Sequence, residues 1–393
     1  MSGAGGPPGL RVAVHQFVPA LIPRDATGTH TLLLRDALRA AGWRSEIFAE
    51  ATHDELSGES VPVEQYPAHA APGDVLVYQF STSSMVADLL AERPEALVID
   101  YHNVTGPEHY DAWEPAVAKR SSDAVGQLAV LAPRAVLGLA DSAFNEADLL
   151  AAGCRRTRVV PVLVDHDRLS EPPDPEVRDR LAGLKASGGS DWLFVGRVVP
   201  SKAQHELVKA LWAHRRLYDP RARLHLVGSA PSPPYLRALR GFIDELGLSD
   251  AALVHGEVGE AALASHFASA DVFVSLSVHE GFGVPLVEAM RVGLPVVALG
   301  CGAVAHTVDG AGLVLERSEP SYVAAAVHRV LGDGELRARL VAAGRHRADE
   351  LSLRRCAAMA VSAIATVAGP PPAWGTDPGS GAPDPATGET VVP

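Results

Sequence analysis

The sequence predicts an α/β protein with two doubly wound parallel sheets. At 393 residues the chain is too long for one ordinary hydrophobic core, and two domains of about 150–200 residues each are the usual solution. Strand-like and helix-like segments alternate through residues 11–152 and start again at residue 192. Such alternation is typical of βαβ units and parallel sheets. Between the two series, residues 165–190 are rich in proline and glycine, which indicates an interdomain linker.

The individual elements follow from the pattern of apolar residues. In the first half, β-branched runs predict strands at 11–17, 45–48, 74–80, 96–100 and 136–142, and helices are predicted at 29–41, 83–92 and 143–152. Gly42 and Gly153 are plausible C-terminal stops for two of these helices. The second half predicts strands at 192–196, 223–228, 252–256, 271–277, 295–300 and 312–316, with helices at 203–217, 233–247, 260–268, 319–332, 334–348 and 354–367.

These elements predict a Rossmann-like domain over 10–165, a linker over 166–189 and a second Rossmann-like domain over 190–350. A last helix within 351–368 is apolar and needs a partner surface, so we expect it to pack back on the first domain. Residues 1–9 and 369–393 have little to bury and are predicted to be disordered.

Composition excludes several classes of function. The formal net charge of −13 disfavours nucleic acid and anionic membranes, which would repel the chain. Cys154, Cys301 and Cys356 are too few and too far apart for a disulfide framework or a structural zinc knuckle. No signal peptide is visible, and the apolar run at 356–368 is too short to span a bilayer. We therefore expect a cytoplasmic protein; peripheral membrane contact and the oligomeric state stay open.

The strongest motif is HEGFGVPLVEAMRVGLPVVA, residues 279–298. Glu280 lies on the predicted loop after a strand, and Glu288 lies one turn into the next helix. Pro285 suits the first turn of that helix, where its missing N–H would have no partner anyway. The glycines between them let backbone amides approach a ligand closely, and the start of a helix favours an anion such as a diphosphate. The arrangement suits a ligand with hydroxyls at both ends and phosphates between them. The alternative is a solvated glutamate beside an ordinary strand–helix turn.

With this motif the sequence resembles the retaining GT-B glycosyltransferases known as glycosyltransferase family 4, whose signature is Glu-x7-Glu around a Gly-Phe-Gly core. The resemblance covers roughly residues 10–350 and is strongest in the second half. It implies the GT-B architecture, in which two Rossmann-like domains face each other across a cleft that holds a sugar nucleotide. It also implies that Glu280 contacts the transferred sugar, that Glu288 holds the ribose, and that Gly281, Phe282, Gly283 and Val284 line the donor site.

A second match is VGRVVPSKAQHELVKA, residues 195–210. Arg197 comes just after a predicted strand, and Lys202 precedes a predicted helix. Two cations near a helix start can hold a diphosphate, since charge-assisted hydrogen bonds are worth about 1.5–3 kcal/mol each. The family has an arginine and a lysine at the matching positions, where they stabilise the leaving nucleoside diphosphate. Two surface cations on an exposed turn are the alternative.

Two matches lie in the first half. Gly28, in RDATGTHTLLLRDAL at 24–38, resembles the glycine of the loop that covers the donor phosphates, although the family often has a glycine pair there; a plain helix N-cap is the alternative. His102, in DYHNVT at 100–105, follows a strand end, where open α/β sheets bind ligands. The matching family residue contacts the transferred sugar, and a packing histidine is the alternative.

Other donor contacts are expected at further strand ends. Gly228 and the segment from Gly256 to Val258 are predicted to hold the base and ribose. The segment GCGAVAHTVDG at 300–310 also resembles a family segment, but Ala305-His306 stands where the family usually has Pro-Glu. No role is assigned to that pair.

The predicted reaction is therefore transfer of a hexose from a nucleoside-diphosphate sugar to an acceptor hydroxyl, with retention and with neither a metal nor a cofactor. Among the rivals, a sugar-nucleotide epimerase or hydrolase would need carboxylates at the anomeric centre. A non-catalytic nucleotide-sugar or glycan-binding protein would not need the full set of Arg197, Lys202, Glu280 and Glu288. A dehydrogenase is disfavoured because no Gly-x-Gly-x-x-Gly fingerprint follows a strand.

Overall fold

The computed structural model describes residues 12–165, 169, 172–372 and 389–391. These residues form two compact units. The first comprises the described parts of Met1–Val104, Asp123–Val164 and Arg354–Pro393, and the second comprises those of Thr105–Ser122 and Asp165–Leu353. The predicted disordered start at 1–9 lies outside the described residues, as does most of the predicted tail at 369–393.

The first unit contains a sheet whose strands, apart from the last, are parallel. Its strands are β1 (Val14–Leu21), β2 (Ile47–Thr52), β3 (Val61–Pro62), β4 (Val75–Phe80), β5 (Ala96–Tyr101), β6 (Leu137–Ala140), β7 (Arg156–Val159) and β14 (Glu389–Val391). Their order is β14-β7-β6-β5-β4-β1-β2-β3, so the strand order reverses between β1 and β4. The short β14 pairs antiparallel with β7, and thus differs from the disorder predicted for the tail.

Several helices of the first unit begin where a side chain satisfies free amides of the first turn. The helices are α1 (Ala26–Ala40), α2 (Tyr66–His69), α3 (Met85–Ala91), α4 (Pro115–Leu131), α5 (Ala143–Ala151) and α14 (Leu353–Ala368), of which α4 belongs to this unit only from Asp123 onward. Ser84 caps α3 and Ser142 caps α5 through their hydroxyl oxygens. Phe17, Phe48 and Tyr66 contact one another through their rings at the centre of the core. The sequence pattern predicted no helix over Pro115–Leu131, where α4 lies.

The second unit contains a fully parallel sheet among its described residues. Its strands are β8 (Asp191–Val195), β9 (Arg223–Val227), β10 (Ala252–Gly256), β11 (Val272–Ser275), β12 (Val296–Leu299) and β13 (Leu313–Leu315). The order is β10-β9-β8-β11-β12-β13. The chain runs from β8 outward to β10 and then returns to β11 on the other side of β8. The switch point of this sheet therefore lies between β8 and β11.

The helices of the second unit are α6 (Pro175–Ala186), α7 (Gln204–Leu217), α8 (Pro233–Glu245), α9 (Glu260–Ser269), α10 (Val284–Val292), α11 (Val304–Val308), α12 (Pro320–Gly332) and α13 (Gly334–Glu350). The two sheets with their helices confirm the prediction of two Rossmann-like α/β domains.

The segment predicted as a linker contains a helix, so the prediction of a linker over 166–189 is wrong for Pro175–Ala186. Asp174 accepts hydrogen bonds from the amides of Glu176 and Val177, and Pro175 occupies the first turn, where it is favoured. Leu181 is buried, and α6 packs against α9. The prolines start this helix instead of breaking it.

Helix α14 buries one face, formed by Cys356, Ala360, Ala363 and Ile364. Within the described part of the chain, the stretch Gly334–Ala368 is the one long and apolar enough to cross a membrane by length and composition. This is weak evidence for a membrane span, because a buried helix of a soluble core passes the same test.

Candidate functional site

Two predicted residues meet at the switch point of the second sheet. The Nζ of Lys202 lies 2.7 Å from Oε1 of Glu280, and both side chains are largely shielded from solvent. Lys202 ends a short 3-10 turn, Pro200–Lys202, after β8, and Glu280 lies on the loop after β11. The amide of Val278 donates to the carbonyl of Ser201 at 2.9 Å, which joins these two loops. The helix predicted over 203–217 begins one residue later, since Ala203 is left-handed and α7 begins at Gln204.

Arg197 lies on the same edge of the sheet with an exposed side chain. The side-chain amide (Nε2) of Gln204 donates to the carbonyl of Arg197 at 2.8 Å, and the backbone amide of Val198 donates to the carbonyl of Ser229 at 2.8 Å. These bonds fix the backbone of the loop. The guanidinium itself makes no hydrogen bond or ion pair with any residue that the structure describes, so its donors remain open to an anion.

The backbone at Glu280 is held from the neighbouring strand end. The carbonyl of Glu280 accepts a 2.8 Å hydrogen bond from the amide of Ala303. Gly302 has φ of +58°, and a Cβ at this position would lie 2.3 Å from that carbonyl oxygen. Only glycine fits there without moving the loop that carries Glu280.

Electrostatics around this pair are set by burial as well as by charge. Burial, His109 and Lys202 lower the pKa of His279, next to Glu280, to about 4. The imidazole is therefore neutral near pH 7. Glu280 and Lys202 then carry the charges of this loop pair and neutralise each other.

Helix α10 begins directly after the motif's glycines. Gly283 is left-handed with φ of +92°, and Val284 and Pro285 form the first turn. The carbonyl of Phe282 accepts a 2.6 Å hydrogen bond from the hydroxyl of Thr307, which anchors the loop. Gly281 and Val284 are half-buried, while the ring of Phe282 is buried.

Glu288 lies on the buried side of α10, and only 1% of it is exposed. A carboxylate this far from water needs hydrogen-bonding partners if it is to stay ionised. Its assignment to the ribose hydroxyls stays a prediction.

The other predicted donor contacts lie at the ends of β9 and β10. The amide of Gly228 donates to the carbonyl of Gly256 at 2.8 Å, so the two strand ends are joined. A Cβ on Gly228 would meet the carbonyl oxygen of Gly196 at 2.2 Å. Val258 is half-buried in the loop that follows. These residues form the same edge of the sheet as Lys202, at increasing distance from the switch point.

His102, in the first unit, lies after β5 with both ring nitrogens engaged. Nδ1 is 3.0 Å from Oδ2 of Asp141, and Nε2 is 2.5 Å from Oε1 of Gln79. Burial alone would lower its pKa, but the charges of Asp141 and Asp100 raise the pKa of His102 to about 9. The ring is therefore a protonated donor to both partners at neutral pH. A sugar hydroxyl would have to displace Gln79 to reach a ring nitrogen.

Gly28 lies inside the first turn of α1 and is not its N-cap. Asp25 is the cap, and its carboxylate accepts from the amides of Thr27 and Gly28 at 3.1 and 3.2 Å. A Cβ on Gly28 would lie 2.4 Å from the carbonyl oxygen of Ile22. The glycine therefore lets α1 pack closely on the loop after β1. The N-cap alternative is wrong, and the donor-loop role stays a prediction.

Comparison with known proteins places this geometry in a family. The family model "Glycosyl transferases group 1" matches residues 179–347. The D-inositol 3-phosphate glycosyltransferase of Xylanimonas cellulosilytica is 30% identical over 291 residues, which cover 71% of this chain and 69% of that protein. The chain belongs to the group 1 glycosyl transferases. A second protein of that name, from Geodermatophilus obscurus, is 37% identical over 62% of this chain and 54% of its own length.

A third relative of this group 1 glycosyl transferase is the GDP-mannose-dependent alpha-(1-6)-phosphatidylinositol monomannoside mannosyltransferase of Mycolicibacterium smegmatis. It is 34% identical over 48% of this chain and 50% of its own length. The chain thus spans about half the length of this relative and of the Geodermatophilus protein.

Solved structures support the GT-B fold. Anabaena Alr3699/HepE in complex with UDP and glucose has a TM-score of 0.73 at 19% identity, covering 90% of this chain and 100% of that chain. Sucrose-phosphate synthase from Thermosynechococcus elongatus has a TM-score of 0.70 at 22% identity, covering 88% and 97%. At such identities the likeness concerns the fold.

Three residues of this group 1 glycosyl transferase that contact predicted site residues are missed from the sequence: Gly302 beside Glu280 in the second unit, and Gln79 and Asp141 beside His102 in the first. Gly302 falls in the segment 300–310, whose resemblance to the family is visible but suggests no role for this glycine. Gln79 is the last residue but one of β4 and Asp141 follows β6, so both lie near strand ends flanking His102. Polar residues at neighbouring strand ends were the available signal. The structure does not explain the replacement of Pro-Glu by Ala305-His306.

His30, Asp100 and His102 each have one potential metal-ligand atom within 4.8 Å of the other two. These atoms are nevertheless a poor match for a metal ion. The backbone amide of Leu163 donates to Nδ1 of His30, so Nε2 of His30 donates to Asp100 at 2.9 Å. With His102 also bonded through both nitrogens, the ring nitrogens of both histidines are engaged in hydrogen bonds, although Oδ1 of Asp100 has no partner among the described residues.

Proposed function

We propose that this chain is a retaining, metal-independent glycosyltransferase of family 4, which moves a hexose from a nucleoside-diphosphate sugar to an acceptor hydroxyl. The observation that carries the proposal is the contact of Lys202 with Glu280, 2.7 Å apart at the point where the strand order of the second sheet reverses. Ligands of open α/β sheets bind at such switch points. A cation and a carboxylate side by side suit the two ends of a sugar–diphosphate bond.

The leaving diphosphate would be held by cations and by backbone amides. Arg197 has an exposed guanidinium, and Lys202 follows it in the same loop after β8. Helix α10 begins at Val284 without a side-chain cap, so its N-terminus is a further place where a phosphate could bind. Such groups stabilise the charge that builds up on the phosphate oxygens as the sugar leaves. A metal ion is not required for that charge.

Glu280 would position the sugar and would not attack it. Its carboxylate is already paired with Lys202, which fixes its direction. As the sugar ring flattens and gains positive charge, a nearby carboxylate is worth more than in the ground state. Hydrogen bonds from sugar hydroxyls to Glu280 would orient the ring.

The resemblance to family 4 supports retention by front-face substitution. The bond between the anomeric carbon and the phosphate oxygen breaks, and the acceptor oxygen bonds to the same face of that carbon. The acceptor proton passes to the departing phosphate oxygen, so atoms and charge balance without an enzyme nucleophile.

The names of the relatives suggest substrate classes for the test. They act on inositol phosphate, a phosphatidylinositol mannoside and, in Streptomyces kanamyceticus, 2-deoxystreptamine. All of these acceptors carry a ring with several hydroxyls. We propose an acceptor of this cyclic polyol class and a hexose nucleotide of UDP or GDP. The three free cysteines, Cys154, Cys301 and Cys356, fit a reducing cytoplasm.

A screen of nucleotide sugars by thermal shift identifies the donor, because a ligand that binds the folded state raises its melting temperature. Transfer is then measured as release of nucleoside diphosphate with and without polyol acceptors. The proposal expects release that depends on the acceptor and is lost in Arg197→Met. Release without an acceptor would indicate a hydrolase, a new sugar isomer an epimerase, and binding without turnover a non-catalytic binding protein.

A further inference from the structure

Three histidines meet on one side of the second sheet, and the proposed reaction uses none of them. His225 lies on β9, His255 on β10 and His266 on α9. One nitrogen from each lies within 4.8 Å of the other two. Nδ1 of His225 and Nε2 of His255 are 3.0 Å apart. Three imidazoles from three elements thus converge on one small volume.

The first histidine is held in the tautomer that can bind a cation. Nε2 of His225 is 3.2 Å from Oδ1 of Asp191, and a carboxylate accepts, so the proton is on Nε2. Arg223 donates to both oxygens of the same carboxylate, at 2.7 and 3.2 Å, and fixes it in place. Nδ1 of His225 is therefore unprotonated and points at His255. A carboxylate behind a histidine is the usual support for a metal-ligating imidazole.

The third histidine has a ring nitrogen with nothing to bind. His266 is 2% exposed, and its Nε2 has no hydrogen-bond partner among the described residues. Buried polar atoms of side chains are nearly always satisfied, so an orphaned nitrogen beside two other imidazoles calls for an explanation.

We propose that His225, His255 and His266 bind one divalent transition-metal ion of the class that prefers imidazole, with Zn²⁺ as the foremost candidate. Zn–N bonds of about 2.0–2.1 Å in a tetrahedral site put ligand nitrogens about 3.3 Å apart. The nitrogens of His225 and His255 are already near that spacing, and the distances to the nitrogen of His266 have to shorten by at most about 1.5 Å. His255 is half-buried, whereas His225 and His266 are buried.

Binding needs only a shift of one proton between ring nitrogens. Without the ion, Nε2 of His255 donates to Nδ1 of His225, and with the ion that proton moves to Nδ1 of His255. An imidazole coordinates a metal in its neutral form. Arg180 interacts electrostatically with His255 and His266 and opposes a cation there, while the charge of Arg223 is offset by Asp191.

The test is a titration of the full chain, free of any histidine tag and dialysed against a chelator. Zn²⁺ is followed by calorimetry and Co²⁺ by its visible absorption, which reports a four-coordinate site. We expect one equivalent per chain, a four-coordinate Co²⁺ spectrum and a higher melting temperature with the metal. His266→Gln should weaken binding at least about tenfold, since even loss of a supporting residue behind a ligand costs about 10–100-fold.

The matched control is His214→Gln. His214 is also buried in this unit, but its Nδ1 donates to the carbonyl of Ala324 at 3.2 Å, outside the cluster. This variant should bind the metal as tightly as the unchanged chain, whatever it does to stability. Absence of stoichiometric binding, or unaltered affinity in His266→Gln, would overturn the site. If His266→Gln does not fold, the Co²⁺ spectrum of the unchanged chain decides, and a six-coordinate spectrum overturns the proposal.

Discussion

The contact between Lys202 and Glu280 makes a prediction that is specific in direction. Glu280→Gln removes a charge and keeps the shape of the side chain, which frees Lys202 from its 2.7 Å ion pair. The freed ammonium can turn fully to a diphosphate. We therefore expect Glu280→Gln to bind a free nucleoside diphosphate as well as the unchanged chain, or more tightly.

The size of the effect follows from the burial of the pair. The side chains are 20% and 12% exposed, so the pair is worth about 1 kcal/mol, near the upper end for exposed pairs. The gain in affinity is then at most about fivefold, because 1.4 kcal/mol corresponds to a factor of ten. Lys202→Met removes a charge-assisted hydrogen bond of about 1.5–3 kcal/mol, so affinity should fall by about 10–150-fold.

Calorimetry with UDP and GDP measures both effects. The matched control is Lys209→Met on α7, since Lys209 forms a comparable 2.8 Å pair with Glu206 away from the switch point. Its diphosphate affinity should not change. Far-ultraviolet circular dichroism checks that each variant is folded.

The two glutamates of the motif should separate in the same experiment. Glu288→Gln should weaken diphosphate binding and mainly raise the KM of the donor, because contacts with ribose do not change during the reaction. Glu280→Gln should lower kcat instead. If Glu280→Gln loses diphosphate affinity as badly as Glu288→Gln, the roles assigned to the two residues are wrong.

Three further predictions concern the support of the site. Gly302→Ala should weaken donor binding about tenfold or more, because the new Cβ would lie 2.3 Å from the carbonyl oxygen of Glu280. The control is Gly310→Ala: Gly310 is also left-handed, but a Cβ there meets no atom within 4 Å, so donor affinity should not change. Equal losses of donor affinity in the two variants would refute the close-approach argument. The pKa of His102 is about 9 in the folded state and about 6.5 in the unfolded state, so between these pH values the folded state binds one proton more. The free energy of unfolding should therefore fall by about 1–3 kcal/mol as the pH rises from 6.5 to 9. Urea midpoints test this, and a fall that persists in His102→Gln would contradict it. Transfer should survive EDTA at a temperature where the metal-free chain is folded, and loss that Mg²⁺ or Mn²⁺ restores would overturn the cation-based mechanism.

Much of the fold could be predicted from the sequence because each element carries local signals. Apolar strands alternate with helices, and glycines such as Gly42 stop helices with a left-handed residue. The error at 175–186 has a local cause as well. The proline and glycine content indicated a linker, whereas Asp174 followed by Pro175 is a helix start. The burial of Leu181, in a helix that packs against α9 from much later in the sequence, stabilises the helical conformation.

The candidate site was predictable where its residues follow strand ends. Lys202 and Glu280 come after β8 and β11, which flank the switch point, so their proximity follows from the strand order. The close approach of Gly302 to Glu280 and the bond of His102 to Asp141, 39 residues later in the chain, arise from tertiary packing. No local pattern encodes either contact.

The central claim is retaining transfer from a nucleotide sugar to an acceptor hydroxyl, and NMR of the purified product tests it most directly. The donor found by thermal shift is incubated with the chain and the acceptor, and the coupling constant of the anomeric proton is measured in the donor and in the product. We predict a new glycosidic bond with the anomeric configuration of the donor, formed only when the acceptor is present. An inverted configuration, or free sugar as the only product, would contradict the account.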